Sequence, residues 1–162
     1  MPYKVTVERN TLRFAAAHFA TFEDSCEPLH GHNYDVRVEV EGELTEVGWL
    51  VDFALLKSLT RAVCQSLDHK FILQRDSTVL EIDEDEKQWK IRYQDRGYSF
   101  PKADVVALSI TNSTAEQLAR WFAGRLREQL TERGATNVTS IEVGIEEMPG
   151  QAGWWREEIA TG

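Results

Sequence analysis

Hydrophobic and polar residues alternate along two segments in the first third of the chain. Residues 3–7 alternate, and the pattern continues through "TLRFAAAHF"; from His32, "HNYDVRVEVEG" places Tyr34 and three valines opposite four charged residues. A repeat of two residues is that of a β-strand with one buried face. Both segments are therefore predicted as strands, the second as a half-buried antiparallel strand. One side of the first strand is predicted to hold Leu12, Phe14, Ala16 and His18.

Two later segments have the spacing of three and four residues that is typical of amphipathic helices. Asp52 is placed to cap the first helix, which ends near "LDHKF". The second helix begins in "NSTAEQLARWF", where Ser113 and Glu116 have the spacing of a capping box, and Gly134 ends it. The segment "VTSIEVGIEE" then predicts a closing strand. The apolar positions of the first helix are Leu55, Leu56, Leu59, Val63 and Leu67.

The connection over residues 74–110 separates the two predicted helices. Within it, "WKIRYQDRGYSF" is typical of a hairpin that turns at Asp95–Gly97. The run "EIDEDEKQ" has five acidic residues among eight, which indicates a solvated turn more than a cation site. Strand, strand, helix, hairpin, helix and strand is an α+β order without regular βαβ alternation. A single domain over residues 1–162 is predicted.

Composition and charge narrow the classes of function. Of the 162 residues, 42% are hydrophobic and 28% are charged, and the net charge is −9. A net negative charge of this size argues against non-specific binding to nucleic acid or to an anionic membrane. The first ten residues, "MPYKVTVERN", have no apolar signal segment, and no stretch approaches the ~20 apolar residues of a membrane span. Two cysteines without repeated spacing fit a reducing compartment, so a cytoplasmic location is expected.

Three of the four histidines lie in one short region, "AAAHFATFEDSCEPLHGHNYDV". His30 and His32 are two residues apart, so an extended chain places them on one face. His18, on the other predicted strand, can supply a third nitrogen. Three histidines without a fourth protein ligand are typical of a catalytic zinc site with an open position. The alternative is that these are hydrogen-bonded core histidines, and spacing alone leaves both interpretations open.

Several other residues are candidates for chemistry. Cys26 lies in a polar loop, where its thiol can act as a base or nucleophile beside a cation, close a structural zinc site, or simply be buried. Cys64 is interpreted as core packing. Asp68 and His69 are adjacent, which allows a relay or an unremarkable surface pair. Glu147 follows the apolar side of the closing strand, where a carboxylate needs a hydrogen-bond donor unless the strand has ended.

Six segments in order resemble the 6-pyruvoyl-tetrahydropterin synthase and 6-carboxytetrahydropterin synthase family. The resemblance is closer to the carboxy branch, the queuosine-pathway enzyme, because the spacing Cys-x3-His-Gly-His matches its shorter loop. The segments are "FAAAH" (14–18), "CEPLHGHNY" (26–34), "GWLVDFALLK" (48–57), "LDHKF" (67–71), "NSTAEQLA" (112–119) and "VGIEEMPG" (143–150).

The resemblance implies a tunnelling fold, or T-fold. Such a subunit has a four-stranded antiparallel sheet with two helices on one face, here with an inserted hairpin around residues 79–100. Subunits of the family join into trimeric barrels, and two barrels stack into a homo-hexamer. The active sites then lie between subunits.

The resemblance also assigns the residues around the predicted metal. His18, His30 and His32 match the ligands of a zinc ion, Zn²⁺. Cys26 matches the catalytic base, which takes a proton from the substrate. Cys26 is then a thiol beside the metal and not a ligand of it.

The remaining assignments concern the substrate. Asp68 and His69 match an acid–base relay that faces the cysteine of a neighbouring subunit. Glu147 matches the carboxylate that anchors the pterin ring and is also counted among the catalytic groups. Ser113 and Thr114 match hydroxyl positions near the pterin.

The implied activity is a zinc-dependent lyase reaction on a pterin triphosphate. In the carboxy branch, 7,8-dihydroneopterin triphosphate becomes 6-carboxytetrahydropterin with release of acetaldehyde and triphosphate. A 6-pyruvoyl-type triphosphate lyase, another pterin side-chain lyase and a non-catalytic pterin- or zinc-binding protein are the alternatives. Two features depart from the family pattern, namely Met148 where a threonine is usual and the long connection over residues 74–110.

Overall fold

The computed structural model describes residues 2–160, which form nine strands, two helices and one short 3-10 turn over Lys102–Asp104. The elements in chain order are β1 (Tyr3–His18), β2 (His30–Gly42), α1 (Phe53–Leu67), β3 (Lys70–Gln74), β4 (Glu81–Glu84), β5 (Gln88–Tyr93), β6 (Arg96–Pro101), β7 (Val105–Leu108), α2 (Ala115–Glu132), β8 (Val138–Met148) and β9 (Gln151–Glu158).

Six strands form the main sheet, in the order β7-β3-β1-β2-β8-β9. The pairs β1–β2, β2–β8 and β8–β9 are antiparallel, whereas β3 is parallel to both β1 and β7. The two strands with alternating patterns form the centre of this sheet. Their pairing begins at Tyr3 opposite Gly42 and ends at His18 opposite His30.

Both helices cover one face of the main sheet. Alternate residues of β1, β2 and β8 are buried against them, and Tyr34, Val38 and Phe122 are 0% exposed. Asp52 caps α1 as predicted, because its carboxylate accepts the backbone N–H of Ala54 at 2.9 Å. The opposite face of the sheet carries charged side chains, among them Lys4, Glu41 and Arg156. Neither helix in the described part of the chain is long and apolar enough to span a membrane.

The cap of α2 lies one residue later than predicted. Thr114, not Ser113, is the N-cap, and its hydroxyl accepts the backbone N–H of Gln117. The hydroxyl of Ser113 is used elsewhere, because it donates to the carbonyl oxygen of Phe19 at 3.1 Å. The sequence contains two overlapping capping patterns, and the hydrogen bond of Ser113 to Phe19 leaves the second, at Thr114, to cap the helix.

The insertion is a separate three-stranded antiparallel sheet, β4-β5-β6, and not a two-stranded hairpin. Its first strand takes up the beginning of the acidic run that was predicted as a turn. The β5–β6 turn lies at residues 94–95, just ahead of the predicted one. One face of the insertion covers a second apolar cluster. That cluster consists of Phe19, Cys26, Phe71, Leu73, Leu80 and Ile91.

The prediction of an α+β fold is confirmed, but the expected four-stranded sheet has six strands. Strands β3 and β7 have only five and four residues, "KFILQ" and "VVAL", and are apolar without alternation. Short apolar runs carry no period that distinguishes a strand from a helix. Strand β9 follows β8 after a tight turn at Gly150, where φ is 85°. The predicted closing strand is therefore the penultimate strand of the chain.

Candidate active site

The ends of β1 and β2 bring three histidines together. Because His18 lies opposite His30 in the antiparallel register, the two-residue spacing to His32 places all three rings side by side. One nitrogen from each lies within 4.8 Å of the other two, and the Nε2 atoms of His30 and His32 are 3.0 Å apart. His18 is 1% exposed. The predicted histidine group is thus present and can hold a metal ion.

Backbone carbonyls orient two of these rings. Nδ1 of His18 lies 2.9 Å from the carbonyl oxygen of Ser113, and Nδ1 of His30 lies 2.7 Å from that of Pro28. A carbonyl oxygen only accepts, so each Nδ1 carries the hydrogen and each Nε2 presents its lone pair. This arrangement is typical of metal-binding histidines.

The Nε2 atoms of the three rings point toward one another, and only the close pair of His30 and His32 is within hydrogen-bond distance. Nε2 of His18 is buried and makes no hydrogen bond within residues 2–160. Burial lowers the pKa of His18 to about 4, so the ring is neutral near pH 7, which is the form that binds a cation. Imidazole nitrogens suit zinc, and three of them leave a position open for water or substrate. These residues therefore fit the zinc ion that the resemblance implies.

Glu147 lies beside the histidine group. Its carboxylate oxygens are 3.8 Å from Nε2 of His18 and 4.0 Å from Nε2 of His32. The register of β8 against β9 shifts between Glu146 and Met148, so the strand continues through Glu147 with an irregularity. Burial raises the pKa of the Glu147 carboxyl, and the negative charge of Glu27 adds to the shift. Glu147 therefore combines partial burial with proximity to the candidate metal position.

A cavity of about 310 Å³ adjoins this group. It is lined by Glu27, Glu147, Thr114, Glu116 and the exposed ring of Phe22, among others. Carboxylates and one aromatic face suit a flat heterocycle that carries several N–H donors. A pterin ring has this chemistry.

Cys26 lies outside this cavity. The thiol packs in the second apolar cluster, the side chain is 8% exposed, and Sγ donates to the carbonyl oxygen of Glu27 at 3.5 Å. Cys26 forms an isolated antiparallel bridge with Thr21, so its extended neighbour Glu27 points to the opposite side. Burial raises the pKa of the Cys26 thiol, and the Arg96 guanidinium opposes that change.

Glu27 is the site residue that the sequence analysis missed. Its carboxylate accepts the backbone N–H of Ala20 at 2.8 Å and lines the cavity with Glu147. One signal was available in the sequence. Consecutive residues of an extended segment face opposite sides, so if Cys26 faces the core, Glu27 faces the other way. In the described conformation, the side of this segment that faces the histidines carries a carboxylate.

Asp68 and His69 form the predicted pair at the surface. Nδ1 of His69 lies 2.9 Å from the Asp68 carboxylate, which also accepts the backbone N–H of Ala15 at 2.8 Å. That N–H holds the pKa of Asp68 below its ordinary value. His69 has a positive φ of 57°, and its side chain is 83% exposed. His69 and His32 line one open cavity of about 640 Å³, so His69 lies on an open side of the histidine group.

Ser113 and Thr114 have different positions relative to the cavity. Ser113 is 0% exposed, and its hydroxyl and carbonyl oxygens both contact Nδ1 of His18. It therefore orients a candidate metal ligand, and its contact with a pterin stays a prediction. Thr114 lines the cavity directly.

Comparisons with known proteins agree with these features. A family model described as 6-pyruvoyl tetrahydropterin synthase matches residues 6–158. A Methanocaldococcus jannaschii protein provisionally named 6-carboxy-5,6,7,8-tetrahydropterin synthase is 35% identical over 149 residues, which are 91% of each chain. The 6-carboxy-5,6,7,8-tetrahydropterin synthase of Bacillus subtilis is 33% identical over 120 residues, covering 72% of this chain and 70% of that protein.

A solved structure matches over nearly the whole chain. It is a Plasmodium vivax 6-pyruvoyltetrahydropterin synthase with alanine in place of a catalytic glutamate. The two proteins are 34% identical, the TM-score is 0.93, and the match covers 98% of this chain and 99% of that one. The predicted T-fold is confirmed by this likeness. The chain belongs to the 6-pyruvoyl tetrahydropterin synthase family.

Proposed function

We propose that this protein is a zinc-dependent 6-carboxy-5,6,7,8-tetrahydropterin synthase of queuosine biosynthesis. It converts 7,8-dihydroneopterin triphosphate to 6-carboxytetrahydropterin and releases acetaldehyde and triphosphate. The observation that carries the proposal is the group of three histidines beside Glu147, next to a cavity suited to a pterin. The names of the M. jannaschii and B. subtilis relatives support the carboxy product.

The residues of the site have separate roles in this reaction. Bound at His18, His30 and His32, zinc supplies Lewis acidity toward the side-chain oxygens of the substrate. Glu147 accepts N–H groups of the aminopyrimidinone edge and thereby fixes the orientation of the ring. His69, held by Asp68, returns a proton at the open side of the site.

The proton-abstracting group distinguishes two candidate functions. In the carboxy synthase, Cys26 is the base, which requires its thiol to leave the second apolar cluster and turn toward the histidines. In the alternative, a 6-pyruvoyl-type or other pterin side-chain lyase, the Glu27 carboxylate takes the proton from its present position. The placement of Glu27 in the cavity favours that alternative, and the catalytic glutamate of the P. vivax protein supports it.

Product identity tests these functions. The purified, zinc-loaded protein is incubated with 7,8-dihydroneopterin triphosphate, and the pterin products and acetaldehyde are identified by mass. Acetaldehyde together with 6-carboxytetrahydropterin supports the first function. A pterin that retains its three-carbon side chain, or another cleaved fragment, supports the second. Recovery of unchanged pterin would leave only a binding protein and contradict both.

The assembly is part of the same proposal. We propose a cytoplasmic homo-hexamer of two trimers with active sites between subunits, and neither nucleic acid nor membrane as a partner. Strands β7 and β9 are the edges of the main sheet, so each offers unpaired backbone groups to a neighbouring subunit. The apolar side chains of Val47, Trp49 and Phe53 are each more than half exposed in the single chain. Light scattering that gives a monomer mass would contradict this assembly.

A further inference from the structure

Arg96 connects the inserted sheet to the segment that carries Cys26 and Glu27. It is the first residue of β6, and its guanidinium Nη2 donates to the carbonyl oxygen of Cys26 at 2.8 Å. The guanidinium also lies over the ring of Tyr93, 5.4 Å from its centroid. The arginine is half-buried, so both contacts hold it between the insertion and the segment.

The segment over residues 20–27 is tied at its other end to Asn112, whose side chain accepts the backbone N–H of Thr21 at 3.0 Å and donates to the Thr21 carbonyl oxygen at 2.7 Å. Glu27 N–H donates to Ala20 O at 3.0 Å, Ala20 N–H donates to the Glu27 carboxylate at 2.8 Å, and Phe22 N–H donates to Ser25 O at 2.7 Å. These bonds close the segment on itself. On the side of the insertion, Arg96 supplies the polar contact that ties its backbone to another element.

Arg96 binds the carbonyl oxygen of Cys26, and the orientation of the backbone at Cys26 determines whether the thiol or the Glu27 carboxylate faces the histidines. Cys26 and Glu27 are consecutive, so the thiol and the carboxylate exchange sides only if this part of the segment rotates about its own axis, which also carries the Cys26 carbonyl away from Arg96. We propose that Arg96 is a positioning residue, which fixes this peptide with Glu27 toward the histidine group and Cys26 in the second apolar cluster. The insertion thereby takes part in the site without contacting substrate.

Hydrogen exchange of backbone amides tests the positioning independently of activity. A hydrogen bond from a charged group contributes about one to two factors of ten to an equilibrium. Arg96→Ala is therefore expected to exchange the amides of Ala20 and Glu27 about tenfold faster. Arg92→Ala is the matched control, because Arg92 lies on β5 and is exposed on the outer face of the same sheet. Equal exchange rates in wild type and Arg96→Ala would overturn the proposal.

Steady-state kinetics test whether the positioning matters to the reaction. The kinetic experiment rests on the second proposed function, in which Glu27 takes the proton. Arg96→Ala is expected to lower kcat about tenfold or more with little change in KM or zinc content, because substrate and metal contacts remain. Arg96→Lys is expected to restore most of kcat, since only one donor reaches the Cys26 carbonyl. Faster exchange with an unchanged kcat would overturn the positioning role, whereas faster exchange with an increased kcat would contradict the second proposed function, because it means that Arg96 holds the Cys26 base away from the histidines.

Hydrogen exchange and kinetics together distinguish an incorrect proposed function from an incorrect role for Arg96. A wild-type protein that makes no product contradicts the proposed function, while amide exchange still decides whether Arg96 holds the segment. An active wild type with unchanged exchange in Arg96→Ala contradicts only the inference. Should Arg96→Ala precipitate, Arg96→Gln keeps a polar side chain that is two atoms too short to reach the Cys26 carbonyl, and it carries both measurements with the same expected results.

Discussion

At the scale of single residues, the main question is whether Cys26 or Glu27 is the base that takes the proton. They are adjacent, yet one packs in an apolar cluster and the other lines the cavity beside the histidines. A buried thiol with a raised pKa is a poor source of thiolate at neutral pH. A carboxylate accepts a proton directly and needs no thiolate to form first. The identity of the base therefore depends on which side chain faces the substrate during turnover.

Single substitutions distinguish the two bases. Under the carboxy-synthase proposal, Cys26→Ala retains zinc and loses about 10²–10⁴-fold in kcat, as expected for removal of a general base. Glu27→Gln, which keeps shape and removes the charge, then retains most activity. Zinc is measured by elemental analysis and kcat by product formation. The reverse pattern assigns the base to Glu27, and loss of zinc from Cys26→Ala would show that the thiol is a ligand.

The histidine group gives a second prediction at this scale. His32→Ala removes one of the three candidate metal ligands, so under the zinc proposal we expect zinc content to fall from about one to near zero per chain after dialysis. His69→Ala is the matched control, because His69 lies on the same open cavity and is not in the histidine group. It should keep its zinc while losing turnover. Full zinc retention in His32→Ala would contradict the assignment.

At the scale of elements, the alternation of polar and apolar residues predicted the two strands that carry the histidine group. β1 and β2 are buried on one side only, so polar and apolar residues must alternate, and the register follows from that pattern. β3 and β7 are short and apolar, and their parallel pairing depends on contacts distant in sequence. The position of Cys26 could not be predicted either, because the cluster that contains it is completed by residues of the insertion, such as Leu80 and Ile91.

The contact between α2 and β9 supports the cavity and gives an element-scale prediction. A Cβ at Gly153 would lie 2.5 Å from the backbone nitrogen of Glu116 and 2.6 Å from the carbonyl carbon of Ala115. Because these are backbone atoms, Gly153→Ala must displace the first turn of α2. We expect a loss of about 1–3 kcal/mol in the free energy of unfolding, typical of overpacking.

Urea unfolding measures this effect, and Gly97→Ala is its control. Gly97 also lies in a strand, and a Cβ there would meet nothing within 4 Å. We expect the control to change the free energy of unfolding by less than about 0.5 kcal/mol. Equal effects of the two substitutions would show that the close approach of α2 to β9 is not a constraint.

At the scale of the whole molecule, ion pairs join separate strands across the helix-free face of the main sheet. Glu41 on β2 lies 2.8 Å from Arg156 on β9 and 3.3 Å from Lys4 on β1, so it links strands on either side. A sequence shows only that these positions alternate with apolar ones. Which charges meet depends on the strand order, and β9 was not predicted.

The Glu41 ion pairs give the stability of the molecule a specific dependence on pH. The Arg156 hydrogen bond is the main cause that lowers the pKa of Glu41 from 4.5 to about 2. A group whose pKa is lower in the folded protein contributes stability above its unfolded pKa, and that contribution is lost as pH falls toward the folded value. Glu41→Gln should therefore destabilise the protein at pH 6, by under about 1 kcal/mol because the pairs are partly exposed. The difference from wild type should shrink between pH 4.5 and pH 2.

Urea unfolding at pH 6 and pH 3, at one protein concentration, measures that difference. Glu128→Gln is the control, because the Glu128 pair with Arg125 lies within the exposed surface of one helix, where both side chains are about half exposed. An ion pair of this kind contributes about 0.3–0.5 kcal/mol and joins no separate elements. We therefore expect Glu41→Gln to show the larger loss at pH 6 and the larger change on acidification. A Glu41→Gln effect that is the same at both pH values would mean that the pairs across the sheet contribute nothing to the acid sensitivity of the fold.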